Sequence, residues 1–156
     1  MLEKRSTRLD EIMPLIREEL QCDRSVRIYP RGTSMLPMLR EGRDSVVLSK
    51  IPESPNRFDV VLYQRSNGQY VLHRLVKNRD EYVFLGDNQF EHEHGIKFEQ
   101  MIAYVSSFYR DNKEICVRNA CYRLYCHLWY GSRKIRCFWR RGIGWVSRHV
   151  RKSRVK

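Results

Sequence analysis

Between residues 42 and 112 the chain is cut at short intervals by turn-forming residues, and this constrains its fold more than any other feature. Gly42-Arg43-Asp44, the loop from Ile51 to Asn56 with Pro52 and Pro55, Ser66-Asn67-Gly68, Asn78-Arg79-Asp80, Gly86-Asp87-Asn88 and Asp111-Asn112 punctuate it. Glycine accepts positive φ, asparagine and aspartate tolerate it, and proline fixes φ and lacks an amide donor. The runs between these turns read as short strands, Ser45 to Leu48, Phe58 to Gln64, Gln69 to Lys77, Glu81 to Leu85 and Gln100 to Arg110, and Val26 to Ile28 reads as another ahead of them. Ser66-Asn67-Gly68 is a hairpin signal between two of them, and a polar loop is expected from Gly86 to about Gly95. The expected body is mainly β, an antiparallel sheet of short strands closed into a small barrel.

Both flanks read as helical. From Thr7 to Gln21, Leu9, Ile12, Met13, Ile16 and Leu20 recur at three- and four-residue spacing, while Pro14 places the regular part of this amphipathic helix after it. Beyond Glu114, Val117, Cys121, Leu124, Leu128, Ile135, Phe138, Trp145 and Val146 form a loose helical stripe broken by glycines. The expected organisation is an N-terminal helix over 1–24, a β catalytic domain over 25–112 and a basic helical tail over 113–156.

Charge follows the same division. The formal net charge is +12, yet residues 1–112 hold 17 bases and 17 acids, and residues 113–156 hold 13 bases against Glu114 alone. Basic helices with Trp, Phe and Leu opposite the bases suit an anionic membrane surface. A helix packed on the body with its bases in water is the alternative, and nucleic acid is an unlikely partner. Five cysteines with no C-x-x-C spacing favour neither a disulfide framework nor zinc. Glu91-His92-Glu93-His94 reads as a solvated loop rather than a metal site, and no metal or cofactor is expected. Met1 to Asp10 lacks the apolar core of a secretory signal and no run is long enough to span a bilayer. A cytoplasmic or peripheral membrane location is expected.

Three features carry chemistry. Ser34, within Arg31-Gly32-Thr33-Ser34-Met35-Leu36-Pro37-Met38-Leu39, sits between a glycine and a proline in a run with no regular period. A rigid, irregular turn there presents its Oγ, as a nucleophile or as an ordinary loop serine. His73 shares a strand face with Val71 and Leu75, as a general base or as a core histidine. Asp87, in a turn after a strand, is placed to orient a histidine or simply to form the turn.

With their flanks, these features resemble the signal-peptidase clan of serine proteases. Gly32-Thr33-Ser34-Met35-Leu36-Pro37 matches the serine box, Gly42-Arg43-Asp44 is similar to the following glycine–aspartate pair with one insertion, and Phe58-Asp59-Val60-Val61 stands where Gly-Asp-[Ile/Val]-Val is usual. Leu72-His73-Arg74-Leu75 and Gly86-Asp87-Asn88 complete the order, over roughly Val26 to Tyr109. Histidine rather than lysine in the base box is similar to the Ser-His branch.

The resemblance implies a coiled antiparallel β-barrel and a serine-type endopeptidase that removes leader or signal peptides after small residues. It implies Ser34 as nucleophile, His73 as general base and acid, and Asp87 as the acidic partner. Glu93, where the branch often has a second aspartate, is a possible acidic helper. Met35, Leu36 and Pro37 are expected at the substrate, with Met38 beside them. The Ser34 N–H is the expected oxyanion donor, and Gly32 stands where lysine-type relatives often carry a second, hydroxyl donor. A charged amphipathic helix replaces the family's hydrophobic anchor, which favours processing of peptide leaders in the cytosol or at a membrane surface. The rival readings are a non-catalytic membrane-surface or nucleic-acid binding module and a self-cleaving regulator. The latter is disfavoured because about 25 residues ahead of the body are too few for a helix-turn-helix domain.

Overall fold

The computed structural model describes residues 9–138. In chain order they form α1 (Leu9–Gln21), β1 (Val26–Ile28), β2 (Ser45–Lys50), β3 (Val60–Gln64), β4 (Tyr70–Lys77), β5 (Tyr82–Leu85) and β6 (Glu93–Ile96). A 3-10 turn (Phe98–Gln100), β7 (Met101–Arg110), β8 (Lys113–Cys116) and α2 (Ala120–Gly131) follow. The chain is thus mainly antiparallel β, with eight strands in one sheet: seven in the order β1-β2-β7-β3-β4-β5-β6, and β8 off this path, paired with β7. β7 is its spine: one edge pairs with β2, and the other with β3 through Met101–Tyr104 and with β8 through Ser107–Arg110. The path ends, β1 and β6, do not pair with each other, so among the described residues the sheet is open.

Alternation along the strands explains why both faces are covered. In β3, Val60 and Leu62 join one core while Val61 and Tyr63 join the other. The larger core takes in Met13, Ile16 and Leu20 of α1, Met35, Met38 and Leu39 of the serine turn, and Tyr122 and Cys126 of α2. The smaller centres on Val61, Tyr63, Leu75 and Phe84. Register shifts at Val47/Leu48, Leu62/Tyr63, Leu75/Lys77 and Tyr82/Phe84 bend the sheet.

Four details differ from the sequence reading. α1 is regular from Leu9 with Pro14 inside it; the amide that proline lacks would have faced the carbonyl of Asp10, an exposed residue that water can serve. β6 forms within the expected polar loop, its Glu93 opposite Phe84 and its Ile96 opposite Tyr82. β8, assigned to the tail, belongs to the sheet. Asp111 (φ 50°) and Asn112 (φ 62°) both adopt positive φ, which suits a two-residue hairpin between β7 and β8. The tail helix packs on the body, but by a face other than the expected stripe. Tyr122 and Cys126 are buried, whereas Leu124 and Leu128 stay exposed. Thr7 of the first helix, and Trp145 and Val146 of the stripe, lie outside the described residues. Among those described, no helix is long and apolar enough to cross a membrane.

Candidate active site

The serine box forms a series of tight turns between β1 and β2. Gly32 takes φ +90°, a conformation that side chains strain, and its N–H donates to Glu41 Oε2 at 3.0 Å. Leu36 N donates to Thr33 O and Leu39 N to Met35 O, and the Leu36–Pro37 peptide is cis. Met35, Met38 and Leu39 anchor this stretch in the core, which leaves Ser34 half-buried at its rim.

Gly86-Asp87-Asn88 underpins the turn, each residue differently. Gly86 lies so close that an added Cβ would stand 2.8 Å from the Ser34 carbonyl oxygen. Asn88 N donates to that same oxygen at 2.8 Å, and Asn88 Nδ2 donates to Thr33 O at 3.2 Å. Asp87 turns to Arg74, whose Nε and Nη2 reach its two oxygens at 2.7 and 2.6 Å. Arg74 is only 2% exposed. Burial opposes its charge, but Tyr122, Asp87 and Cys126 outweigh that and hold its pKa well above the ordinary value. Arg74 also donates to Phe58 O at 2.9 Å, to Met38 Sδ at 2.7 Å and to the Tyr122 hydroxyl at 3.1 Å, tying the serine turn, β4 and α2 to one guanidinium.

His73 points from the other face of β4 and is 2% exposed. Its Nδ1 lies 3.2 Å from the Tyr63 hydroxyl, which donates at 2.8 Å to Glu93 Oε2; that oxygen is 3.7 Å from Nδ1. Because the hydroxyl's hydrogen is directed at Glu93, its lone pair faces His73, an arrangement that selects the Nδ1–H tautomer and leaves Nε2 unprotonated. Burial lowers the His73 pKa to about 4, against the opposing pull of Glu93, so the ring is neutral at pH 7. Burial raises the Tyr63 pKa far above its ordinary value and keeps it a proton donor. Burial also opposes ionisation of Glu93, yet hydrogen bonds from Arg65 (2.6 Å from each oxygen) and from Tyr63 hold its carboxyl below the usual range.

Ser34, His73 and Met35 all line one cleft of about 230 Å³, together with Gly32, Glu41 and the β4 residues Tyr70 to Leu72. Leu36 is half-buried and Pro37 exposed. Of the expected acids, Glu93 stands beside His73, whereas both oxygens of Asp87 are engaged by Arg74. Within 91–94 the side chains diverge: Glu93 meets Tyr63 and Arg65, His94 meets Glu81, and His92 meets Arg133. Lys77, at the end of the same strand, pairs with Asp80 and Glu81 at the surface.

Sequence reasoning missed Arg74 and Tyr63. Arg74 had a signal, since it interrupts the face Tyr70, Leu72, Val76, where a buried charge requires a partner. Tyr63 had none, because a strand tyrosine looks the same whether or not its hydroxyl is used. Compared with known family models, curated proteins and solved structures, the chain matches none.

Proposed function

We propose that the chain is a serine endopeptidase of the signal-peptidase type, with Ser34 as nucleophile and His73 as general base and acid. The observation that carries this reading is that Ser34 and a neutral His73, with Nε2 unprotonated, line the same cleft. The antiparallel β body, an open sheet of eight strands, is in keeping with the β-rich catalytic body of that clan, and the order of the five boxes supports the assignment.

The cleft also fits an extended peptide. β4 pairs with β3 from Tyr70 to Arg74 but meets β5 only from Arg74 onward. Its Tyr70–His73 edge therefore offers backbone donors and acceptors to a leader peptide that adds as a strand. Ser34 Oγ attacks the scissile carbonyl as His73 Nε2 takes its proton, and the imidazolium then protonates the leaving amine. Water, activated by the same nitrogen, hydrolyses the acyl-enzyme and restores Ser34. The Ser34 N–H serves the oxyanion, and the Tyr63 hydroxyl, backed by Glu93, holds the ring and its tautomer. Met35 and Leu72 line the cleft with apolar surface, consistent with small residues before the cut.

Ser34→Ala and His73→Ala proteins, shown to be folded by circular dichroism, are expected to lose cleavage of a leader peptide ending in small residues. Cleavage retained by either variant overturns the assignment.

A further inference from the structure

α2 and the helical residues 133–138 beyond it carry apolar side chains on two faces, and the body covers one. On the covered face Tyr122 and Cys126 meet Arg74, and Trp129 Nε1 donates to Asp87 O at 3.1 Å. Arg133 reaches across to Phe90 O. On the other face Leu124 is 60% exposed, Leu128 65%, Ile135 65% and Phe138 79%. Ser132 N donates to Leu128 O and Arg136 N to Ser132 O, so the four-residue bonding pattern runs through the end of α2. The four side chains consequently fall on one stripe. Exposed Arg123 and Lys134 lie beside it, and residues 117–138 hold five bases and no acid.

Whatever covers this stripe must be apolar where the leucines, Ile135 and Phe138 enter it and anionic where the bases meet it. A second copy of the chain brings another tail with 13 bases against one acid, and the two repel. Nucleic acid offers phosphates but no apolar layer to take Leu128 and Phe138. An anionic lipid leaflet supplies both, with headgroups for the bases and acyl chains for the stripe. We propose that the outer face of α2 and its continuation docks in the plane of an anionic lipid surface. The opposite face stays clasped to Arg74 and Asp87, which holds the β body at that surface whether or not Ser34 cleaves peptides.

The test is co-sedimentation of the full chain with phosphatidylcholine vesicles containing about one third phosphatidylglycerol, and with pure phosphatidylcholine. The expected result is binding to the anionic vesicles only, weakened by added salt and weakened about tenfold or more in a Leu128→Ser/Phe138→Ser protein. These two side chains point away from the body, so circular dichroism of the variant is expected to match the parent. Absence of binding overturns the proposal, as does binding that the double substitution leaves unchanged. A lipid-free dimer that the same substitutions dissolve assigns the stripe to a second copy and overturns it too.

Discussion

The Tyr63 hydroxyl stands between His73 Nδ1, 3.2 Å away, and Glu93 Oε2, 2.8 Å away, so the phenol relays the carboxylate to the imidazole. In the peptidase reading this makes Tyr63 a positioning residue. Tyr63→Phe keeps the ring and removes the oxygen that accepts from Nδ1–H. The expected outcome is a folded protein whose kcat falls about tenfold or more, because part of the His73 population takes the wrong tautomer. Imidazole ¹⁵N shifts read this directly: one Nδ1–H tautomer in the parent, a mixture in the variant. An unchanged spectrum would remove Tyr63 from the site.

The buried imidazole also makes stability depend on pH. Folding lowers the His73 pKa from 6.5 to about 4, so between these values the unfolded chain binds a proton that the folded chain does not. Stability therefore rises with pH across this window and is lost as pH falls through it. The contribution lost by pH 4 is about 3 kcal/mol. Urea midpoints at pH 7 and pH 4.5 should differ by less in His73→Gln than in the parent protein. In the peptidase reading, cleavage needs neutral His73 and is expected to stay flat from neutral pH down to about 5.

Asp87 tests the division of labour between the two acids. With both oxygens on Arg74, its substitution is expected to act on folding first. Asp87→Asn leaves a buried guanidinium without its counter-charge, at a cost of about 3–5 kcal/mol, a large share of the stability of a domain this size. The paired replacement Arg74→Met/Asp87→Leu should recover much of that loss. In Asp87→Asn protein folded at low temperature, the Nδ1–H signature of His73 is expected to persist. Loss of that signature would return Asp87 to the role of orienting acid.

How far the fold was legible follows from what each residue depends on. The spacing of turn residues and the period of apolar residues are local chemistry; six strands followed from the first and both helices from the second. β6 and β8 escaped because Glu93-His94-Gly95-Ile96 and Lys113-Glu114-Ile115-Cys116 are short, polar segments that become strands through their partners. Ser34 and His73 were visible as residue types in ordered boxes. The choice between Asp87 and Glu93 was not, since it turns on Arg74 and Tyr63 pointing from opposite faces of neighbouring strands. The tail shows the same limit: periodicity found the stripe Leu124, Leu128, Ile135, Phe138, but which of two apolar faces packs inward depended on the aromatic and sulfur side chains that fit around Arg74.

Phe58 stands where the resembling family has glycine, and its φ of 78° explains why glycine suits the position. A side chain in this region costs about 1–2 kcal/mol of backbone strain. The ring offsets that through α2: it meets His127 edge-on at 4.7 Å and Tyr130 at 5.7 Å, with Arg57 over it at 4.6 Å. Removing a buried phenylalanine costs about 3–5 kcal/mol, more than the strain it relieves. Phe58→Gly is therefore expected to lose about 2 kcal/mol, with the loss concentrated where α2 meets the body. Hydrogen exchange should show α2 amides losing protection more than those of α1. A Phe58→Gly protein more stable than the parent would mean that strain, and not the aromatic clasp on the tail helix, dominates at this position.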